Sequence, residues 1–134
     1  MRVRGEISKK KEHYMDKNRY YELKFFCLQY DTWVKAYEAL DGMTKAGGEH
    51  VDGGDISDPT VRCAEARDSF LERVTMIRDA ANETSEELGK YILLGVTKGL
   101  SYDILNARYG IPCCRKIYYK LYRQFFWILS HKRL

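Results

Sequence analysis

Residues 99–126 read GLSYDILNARYGIPCCRKIYYKLYRQFF. Ser101 is typical of a helix N-cap and Gly110 of a helix end, so their spacing predicts a short helix between them. The dipeptide Ile111-Pro112 then predicts the start of a longer helix. A short helix, a tight turn and a longer helix in this order are typical of a helix-turn-helix, whose second helix lies in the DNA major groove.

The predicted second helix and the chain after it carry positive charge only. Residues 104–134 hold seven Lys or Arg and no Asp or Glu, whereas residues 25–103 hold eight basic and fifteen acidic residues. Residues 1–24 are again basic, with eight Lys or Arg against four Asp or Glu. A basic face set against an acidic body favours double-stranded DNA as the partner; basic tails that only keep a small protein soluble are the alternative.

The outward face of the second helix follows from its apolar stripe. We expect Ile117 or Tyr118, Leu121, Phe125, Ile128 and Leu129 to be buried. The residues left facing outward are Arg115, Lys116, Tyr119, Lys120 and Arg123. Arg115 and Lys116 fall in the first turns, where recognition helices contact base edges, and an arginine can bind guanine through two hydrogen bonds. Tyr102 and Asn106 of the preceding helix are expected to contact the DNA backbone.

An ordinary helical hairpin with a basic outer face is the alternative interpretation of this segment. Asn106 stands four positions before the turn glycine, where a small residue is usual. The first apolar residue of the second helix, Ile117, also comes one position later than in the commonest pattern. Both departures count against a tight crossing of the two helices.

The N-terminal half divides into three predicted segments. Residues 1–17 are charged and without periodicity, which indicates a flexible basic arm. Residues 18–42 have apolar side chains at helical spacing and predict two helices, the second capped by Asp31 and ending at Gly42. Residues 43–57 contain four glycines and predict a flexible linker.

Residues 58–134 are predicted to form a helical core. Pro59, preceded by an aspartate, marks the start of a helix, and Ser85 is expected to cap the next one, which ends at Gly99. No convincing strand is present in the sequence. The predicted fold is therefore all-α, a helical bundle of about six helices with the helix-turn-helix at residues 99–129.

The sequence has no pattern typical of an enzyme or a metal site. The four cysteines, Cys27, Cys63, Cys113 and Cys114, form no CxxC pair, and the three histidines are scattered. We find no Ser/His/Asp arrangement and no phosphate-binding glycine loop in a strand–helix context. The sequence thus predicts a non-enzyme without cofactor or metal. A signal peptide and an apolar run of membrane-spanning length are also lacking, so we expect a cytoplasmic protein with free thiols and no membrane contact.

Several segments resemble small phage and prophage proteins of Firmicutes. They are YELKFFCLQY at 21–30 followed by Trp33, GLSY at 99–102, YGIPC at 109–113 and Tyr118-Tyr119. These proteins are similar to the RinA/ArpU group of late-gene transcriptional regulators, whose C-terminal part resembles region 4 of sigma factors. The resemblance covers roughly residues 19–133 and implies a sequence-specific activator of phage late genes. The DNA-contacting positions that it implies lie around Cys114, Arg115, Lys116 and Tyr119.

Two functions remain open from the sequence. In the first, the chain is a DNA-binding transcription regulator in a bacterial host, and its acidic N-terminal half mediates homodimerisation or contacts RNA polymerase. In the second, it is a phage-encoded, anti-CRISPR-like inhibitor of a host nuclease or polymerase that uses the helix-turn-helix only as a scaffold. The acidic middle of the chain would then compete with nucleic acid for the host protein.

Overall fold

The computed structural model describes residues 14–47 and 59–134, and all regular structure in these ranges is α-helical. The six helices are α1 (Lys17–Leu28), α2 (Tyr30–Gly47), α3 (Pro59–Thr84), α4 (Gly89–Lys98), α5 (Tyr102–Tyr109) and α6 (Arg115–Lys132). The predicted all-α class is confirmed. Most of the predicted basic arm, residues 48–57 of the predicted linker and the Asp58 cap lie outside the described residues.

The predicted limits of α2 are wrong at both ends. The helix begins at Tyr30, one residue before the expected cap Asp31, and continues through Gly42 to Gly47. A glycine inside a helix costs about 1 kcal/mol relative to alanine, which weakens a helix but does not end it. Residues 43–47 of the predicted linker are therefore helical.

The starts of α4 and α6 also differ from the prediction. Ser85 accepts a hydrogen bond from the backbone N–H of Leu88 at 3.1 Å, but this bond closes a turn, and α4 begins only at Gly89. The last helix begins at Arg115 rather than at Ile111-Pro112. The residue before a proline is disfavoured in the helical region, which keeps Ile111 out of α6. The carbonyl oxygen of Cys113 accepts a hydrogen bond from the hydroxyl of Tyr102 in α5, which holds the residues after Pro112 in the link.

Three other predicted helix limits are confirmed. Gly99 and Gly110 follow α4 and α5 with φ of 65° and 60°, a left-handed conformation that glycine adopts without steric cost. The Ser101 hydroxyl oxygen accepts from the backbone N–H of Ile104 at 3.4 Å, as a helix N-cap does. These residues fix the limits of α5 on both sides.

The helices fall into two compact units. The described residues of the first unit are 14–29 and 76–134, and those of the second are 30–47 and 59–75. In the first unit α1 packs against α4 and α6, and α4 also packs against α5 and α6. The side chains that are fully buried in this unit include Leu23, Cys27, Ile77, Ile92, Leu105, Tyr118, Phe125, Phe126 and Leu129. The α1 helix thus shares its core with the C-terminal helices.

Gly95 of α4 is a point of close approach between helices of the first unit. A Cβ atom at this position would clash with the hydroxyl of Tyr118 and lie 3.3 Å from Cδ1 of Leu105. Only glycine lets α5 and α6 pack this closely on α4. The hydroxyl of Tyr118 is buried and has no hydrogen-bond partner among the described residues.

The second unit is an antiparallel pair formed by α2 and the part of α3 up to Thr75. Arg73 lies 5.3 Å from the ring centroid of Trp33, and Arg67 pairs with Asp41 at 3.5 Å. Later positions in α2 therefore meet earlier positions in α3. The carboxylates of Glu65, Asp68 and Glu72 in α3 are exposed.

Candidate nucleic-acid interface

The link between α5 and α6, residues 110–114, is held in place by both helices. The backbone N–H of Gly110 donates to the carbonyl oxygen of Asn106 at 3.1 Å, and Ile111 is buried under the turn. The hydroxyl of Tyr102 donates to the carbonyl oxygen of Cys113 at 2.6 Å. These contacts fix where α6 begins relative to α5.

Tyr102 and Tyr119 lie between α5 and α6 and are both half-buried. The backbone N–H of Tyr102 donates to the hydroxyl oxygen of Tyr119 at 3.4 Å. This N–H belongs to the first turn of α5, where the helix itself offers no acceptor, so the phenol of Tyr119 takes the place of a cap. The structure thus gives both tyrosines a packing role, whereas the sequence predicts that Tyr119 faces outward.

Arg115 is exposed and forms an ion pair with a residue of α5. Its guanidinium binds the carboxylate of Asp103 and lies 5.6 Å from the ring centroid of Tyr102. Exposed ion pairs of this kind contribute about 1 kcal/mol or less, so Arg115 can exchange Asp103 for another anion at small cost. The spacing of Asp103 and Arg115 along the chain does not reveal this ion pair.

The N-terminus of α6 is open to an anion. Its N-cap residue, Cys114, is exposed and makes no side-chain capping bond, and the first turn contains no acidic residue. The unpaired N–H groups and the positive end of the helix dipole favour a phosphate or carboxylate at such a position. Burial raises the pKa of the neighbouring thiol of Cys113, with a smaller contribution from Cys114.

Lys116, Lys120 and Arg123 form a row along α6, hereafter the basic row. Their i, i+4, i+7 spacing places them on one side of the helix, with both lysines exposed and Arg123 half-buried. The helix contains no acidic residue. Within the described part of the chain, no carboxylate neutralises these three cations.

The remaining predicted contact, Asn106, is an exposed residue of α5. Arg108, in the last turn of the same helix, is also exposed and is absent from the predicted contact set. Both side chains lie on the helix that leads into the link before α6. The structure therefore adds one further cation beside the predicted set.

Trp127 and His131 continue the basic row towards the C-terminal end of α6. They follow Lys116 at i+11 and i+15, and Trp127 is 39% exposed. Their ring centroids are 4.3 Å apart, and Nδ1 of His131 lies 2.7 Å from the carbonyl oxygen of Trp127. The same helical spacing that identifies the lysines would have found both residues.

The opposite face of α6 is aromatic and buried. Of the two alternatives for the first buried position, the structure has Tyr118, whereas Ile117 is 44% exposed. Phe125, Phe126 and Leu129 are also fully buried on this face. The hydroxyls of Tyr122 and of Tyr20 in α1 are 2.6 Å apart, which joins α6 to α1. This packing fixes which side of α6 faces solvent.

Comparison of the chain with protein-family models, with curated proteins and with solved structures finds no match. Among the described residues, no group of three His, Cys, Asp or Glu side chains is arranged to hold a metal ion. None of the six helices is both long enough and apolar enough to cross a membrane.

Proposed function

We propose that the protein binds duplex DNA through α6 and acts as a sequence-specific transcription regulator. In this proposal α5, the 110–114 link and α6 serve as a helix-turn-helix. The observation that carries the proposal is the basic row on a helix that contains no acidic residue. Its support is the set of contacts from Tyr102, Gly110 and Ile111 that holds the start of α6.

The dimensions of α6 suit a major groove. Lys116 and Arg123 are separated by about 10 Å along the helix axis at 1.5 Å per residue, and the groove is about 12 Å wide. The basic row can therefore reach across the groove while the open N-terminus of α6 binds a phosphate. Arg115 would read a base by exchanging Asp103 for the two acceptors of a guanine.

The resemblance to RinA/ArpU regulators extends the proposal to a biological role. On that basis the target is a phage late promoter, and the protein activates transcription through contact with RNA polymerase in the bacterial cytoplasm. A palindromic target would require a homodimer, because each copy presents one α6. The genes immediately downstream of a bound site would test this role, since late-gene control predicts terminase or capsid genes there.

Selection of bound duplexes from a random pool tests the sequence specificity. We expect the wild type to enrich a defined motif and Arg115→Ala to relax the preference at one position, by roughly tenfold for a bidentate arginine–guanine contact. The control is Arg62→Ala, which removes an exposed arginine from α3. Enrichment of no motif by the wild type would contradict the proposal of sequence specificity.

The inhibitor of a host protein remains a second candidate because α3 carries an exposed acidic face. Glu65, Asp68 and Glu72 follow i, i+3, i+7 spacing, and all three are exposed. This candidate predicts no affinity for any duplex. It also predicts that the protein captures one host nuclease or polymerase. The double substitution Glu65→Lys with Glu72→Lys should abolish this capture, whereas Lys116→Ala with Lys120→Ala should leave it intact.

A further inference from the structure

The Trp127–His131 pair lies on α6 beyond the part of the helix that the basic row needs to span a major groove. From Lys116 to His131 the helix rises about 22 Å, nearly twice the width of a major groove. When Lys116 and Lys120 occupy the groove, the pair lies beyond its edge, beside the sugar–phosphate backbone. An exposed indole beside an imidazole tilted by 47° suits that position, because the rings can pack on deoxyribose and donate to phosphate.

The hydrogen bond of His131 determines what its outer nitrogen can do. The partner of Nδ1 is the carbonyl oxygen of Trp127, which only accepts, so Nδ1 carries the hydrogen. In the neutral ring Nε2 then has a lone pair and no hydrogen. Such a nitrogen cannot donate to a phosphate oxygen, whereas the imidazolium has an Nε2–H and a positive charge.

The charged groups around this end of α6 leave His131 without an obvious anionic partner. Lys132 pairs with Glu83 of α3, and the guanidinium of Arg133 lies 4.1 Å from the ring centroid of Phe26 in α1. Arg19 of α1 donates to the carbonyl oxygen of Arg133. Of the carboxylates near these cations, Glu83 binds Lys132, Glu22 pairs with Arg19 at 2.7 Å, and Asp79 and Glu86 line the same cleft as Lys132. Among the described residues, no ion pair joins any of these carboxylates to His131. An external anion is therefore the natural partner of a charged His131.

We propose that Trp127 and His131 form a second DNA contact, to the sugar–phosphate backbone, which is made only when His131 is protonated. This inference rests on the proposed DNA binding through α6. Trp127 packs on the sugar while His131 donates from Nε2 to a phosphate oxygen. Binding to duplex DNA is then coupled to the uptake of one proton, and affinity rises as the pH falls.

Fluorescence anisotropy with a labelled duplex, at pH 5.5 and 8.0 over a salt series, tests this inference. For the wild type we expect roughly tenfold tighter binding at pH 5.5, as one charge-assisted hydrogen bond would give. We also expect the plot of log K against log salt to steepen by about 0.9 at the lower pH, as one added phosphate contact requires.

Two variants assign the effect to His131. His131→Gln keeps a neutral donor, so its affinity should be nearly independent of pH, with far-UV circular dichroism as the check on folding. The control is His13→Gln with His50→Gln, which removes the other two histidines of the chain and should keep the pH dependence of the wild type. Equal pH dependence in His131→Gln and the wild type would overturn the inference.

The outcomes separate this inference from the proposed function. No duplex binding at either pH, or binding that Lys116→Ala with Lys120→Ala leaves unchanged, contradicts DNA binding through α6 itself. Duplex binding that needs the lysines but ignores pH contradicts only the backbone contact. Tighter binding to a single-stranded oligonucleotide than to the duplex would also overturn the backbone contact if Trp127→Ala abolishes this preference. Trp127 would then stack on bases.

Discussion

At the residue scale, the contact between Gly95 and Tyr118 controls the packing of the first unit. Gly95→Ala should lower the free energy of unfolding by roughly 1–3 kcal/mol, because the new methyl group meets the Tyr118 hydroxyl. Tyr118→Phe should be neutral or stabilising by about 1 kcal/mol, since the hydroxyl that it removes is buried and unpaired.

The double variant tests whether this one hydroxyl causes the cost. The Cζ atom of Tyr118 is 3.4 Å from the position of the added Cβ, an ordinary van der Waals distance. Urea unfolding of Gly95→Ala with Tyr118→Phe should therefore recover most of the stability lost in the single alanine variant. Strictly additive effects of the two substitutions would contradict this packing.

Stability should also fall at alkaline pH because of two buried groups. Burial raises the pKa of the Tyr118 hydroxyl from its ordinary value of 10.0 and that of the Cys27 thiol from 9.0. Both groups ionise more easily in the unfolded chain. Their contribution to the free energy of unfolding is therefore complete below pH 9. It is lost above pH 9 for Cys27 and above pH 10 for Tyr118, by up to about 1.4 kcal/mol per pH unit for each group.

Urea unfolding from pH 8 to 11 measures this loss. Tyr118→Phe should lose less stability than the wild type above pH 10 and the same amount below it. Tyr109→Phe is the control, because Tyr109 is exposed at the end of α5. Identical pH profiles for the wild type and Tyr118→Phe would contradict the proposed origin of the loss.

If α6 binds DNA as proposed, Asp103 should compete with DNA for Arg115. Asp103→Asn removes the carboxylate that pairs with the guanidinium and takes one negative charge away from the N-terminal side of α6. We expect tighter duplex binding by roughly two- to fivefold, in line with the small free energy of an exposed pair. The same substitution in an Arg115→Ala background should have a smaller effect. Weaker binding by Asp103→Asn would contradict a role for free Arg115.

At the element scale, the hydroxyl of Tyr102 should control the start of α6. Tyr102→Phe removes the hydrogen bond to the carbonyl oxygen of Cys113 and should cost about 1 kcal/mol of stability. Hydrogen exchange at the amides of residues 115–117 should also become faster, because the link is less firmly held. Tyr109→Phe, an exposed tyrosine of the same helix, should change neither property.

The helical conformation of these segments could be predicted from the sequence, but several of the residues at which helices begin or end could not. Local signals were sufficient at Gly99, Ser101 and Gly110, where a cap or a left-handed glycine acts on its own neighbours. They failed at Gly42, which the structure keeps within α2, and at Pro112, after which the link delays α6. In the second case the carbonyl of Cys113 is held by a side chain from another helix, which no local pattern reveals.

The candidate interface was predictable where it depends on helical spacing. Lys116 and Lys120 are exposed on one side of α6, as their positions indicate. The roles of Tyr102 and Tyr119 and the Arg115–Asp103 pair could not be predicted, because each joins two helices at a distance that only the tertiary structure sets.

At the scale of the whole molecule, the first unit combines segments that the sequence pattern separates. The predicted segments 18–42 and 58–134 divide the chain by composition, whereas contacts group 14–29 with 76–134 and place the rest of the described helices in a second unit. The pattern cannot show this, because apolar positions reveal which face of α1 is buried and not which helix covers it.

The salt dependence of duplex affinity tests the central claim most directly. Removing one cation that neutralises a phosphate lowers the magnitude of the slope of log K against log salt by about 0.9, so Lys116→Ala with Lys120→Ala should lower it by about 1.8 relative to the wild type. Lys90→Ala, which removes an exposed lysine from α4, should change neither slope nor affinity. A slope unchanged in the double variant, or no binding by the wild type, would contradict DNA binding through α6.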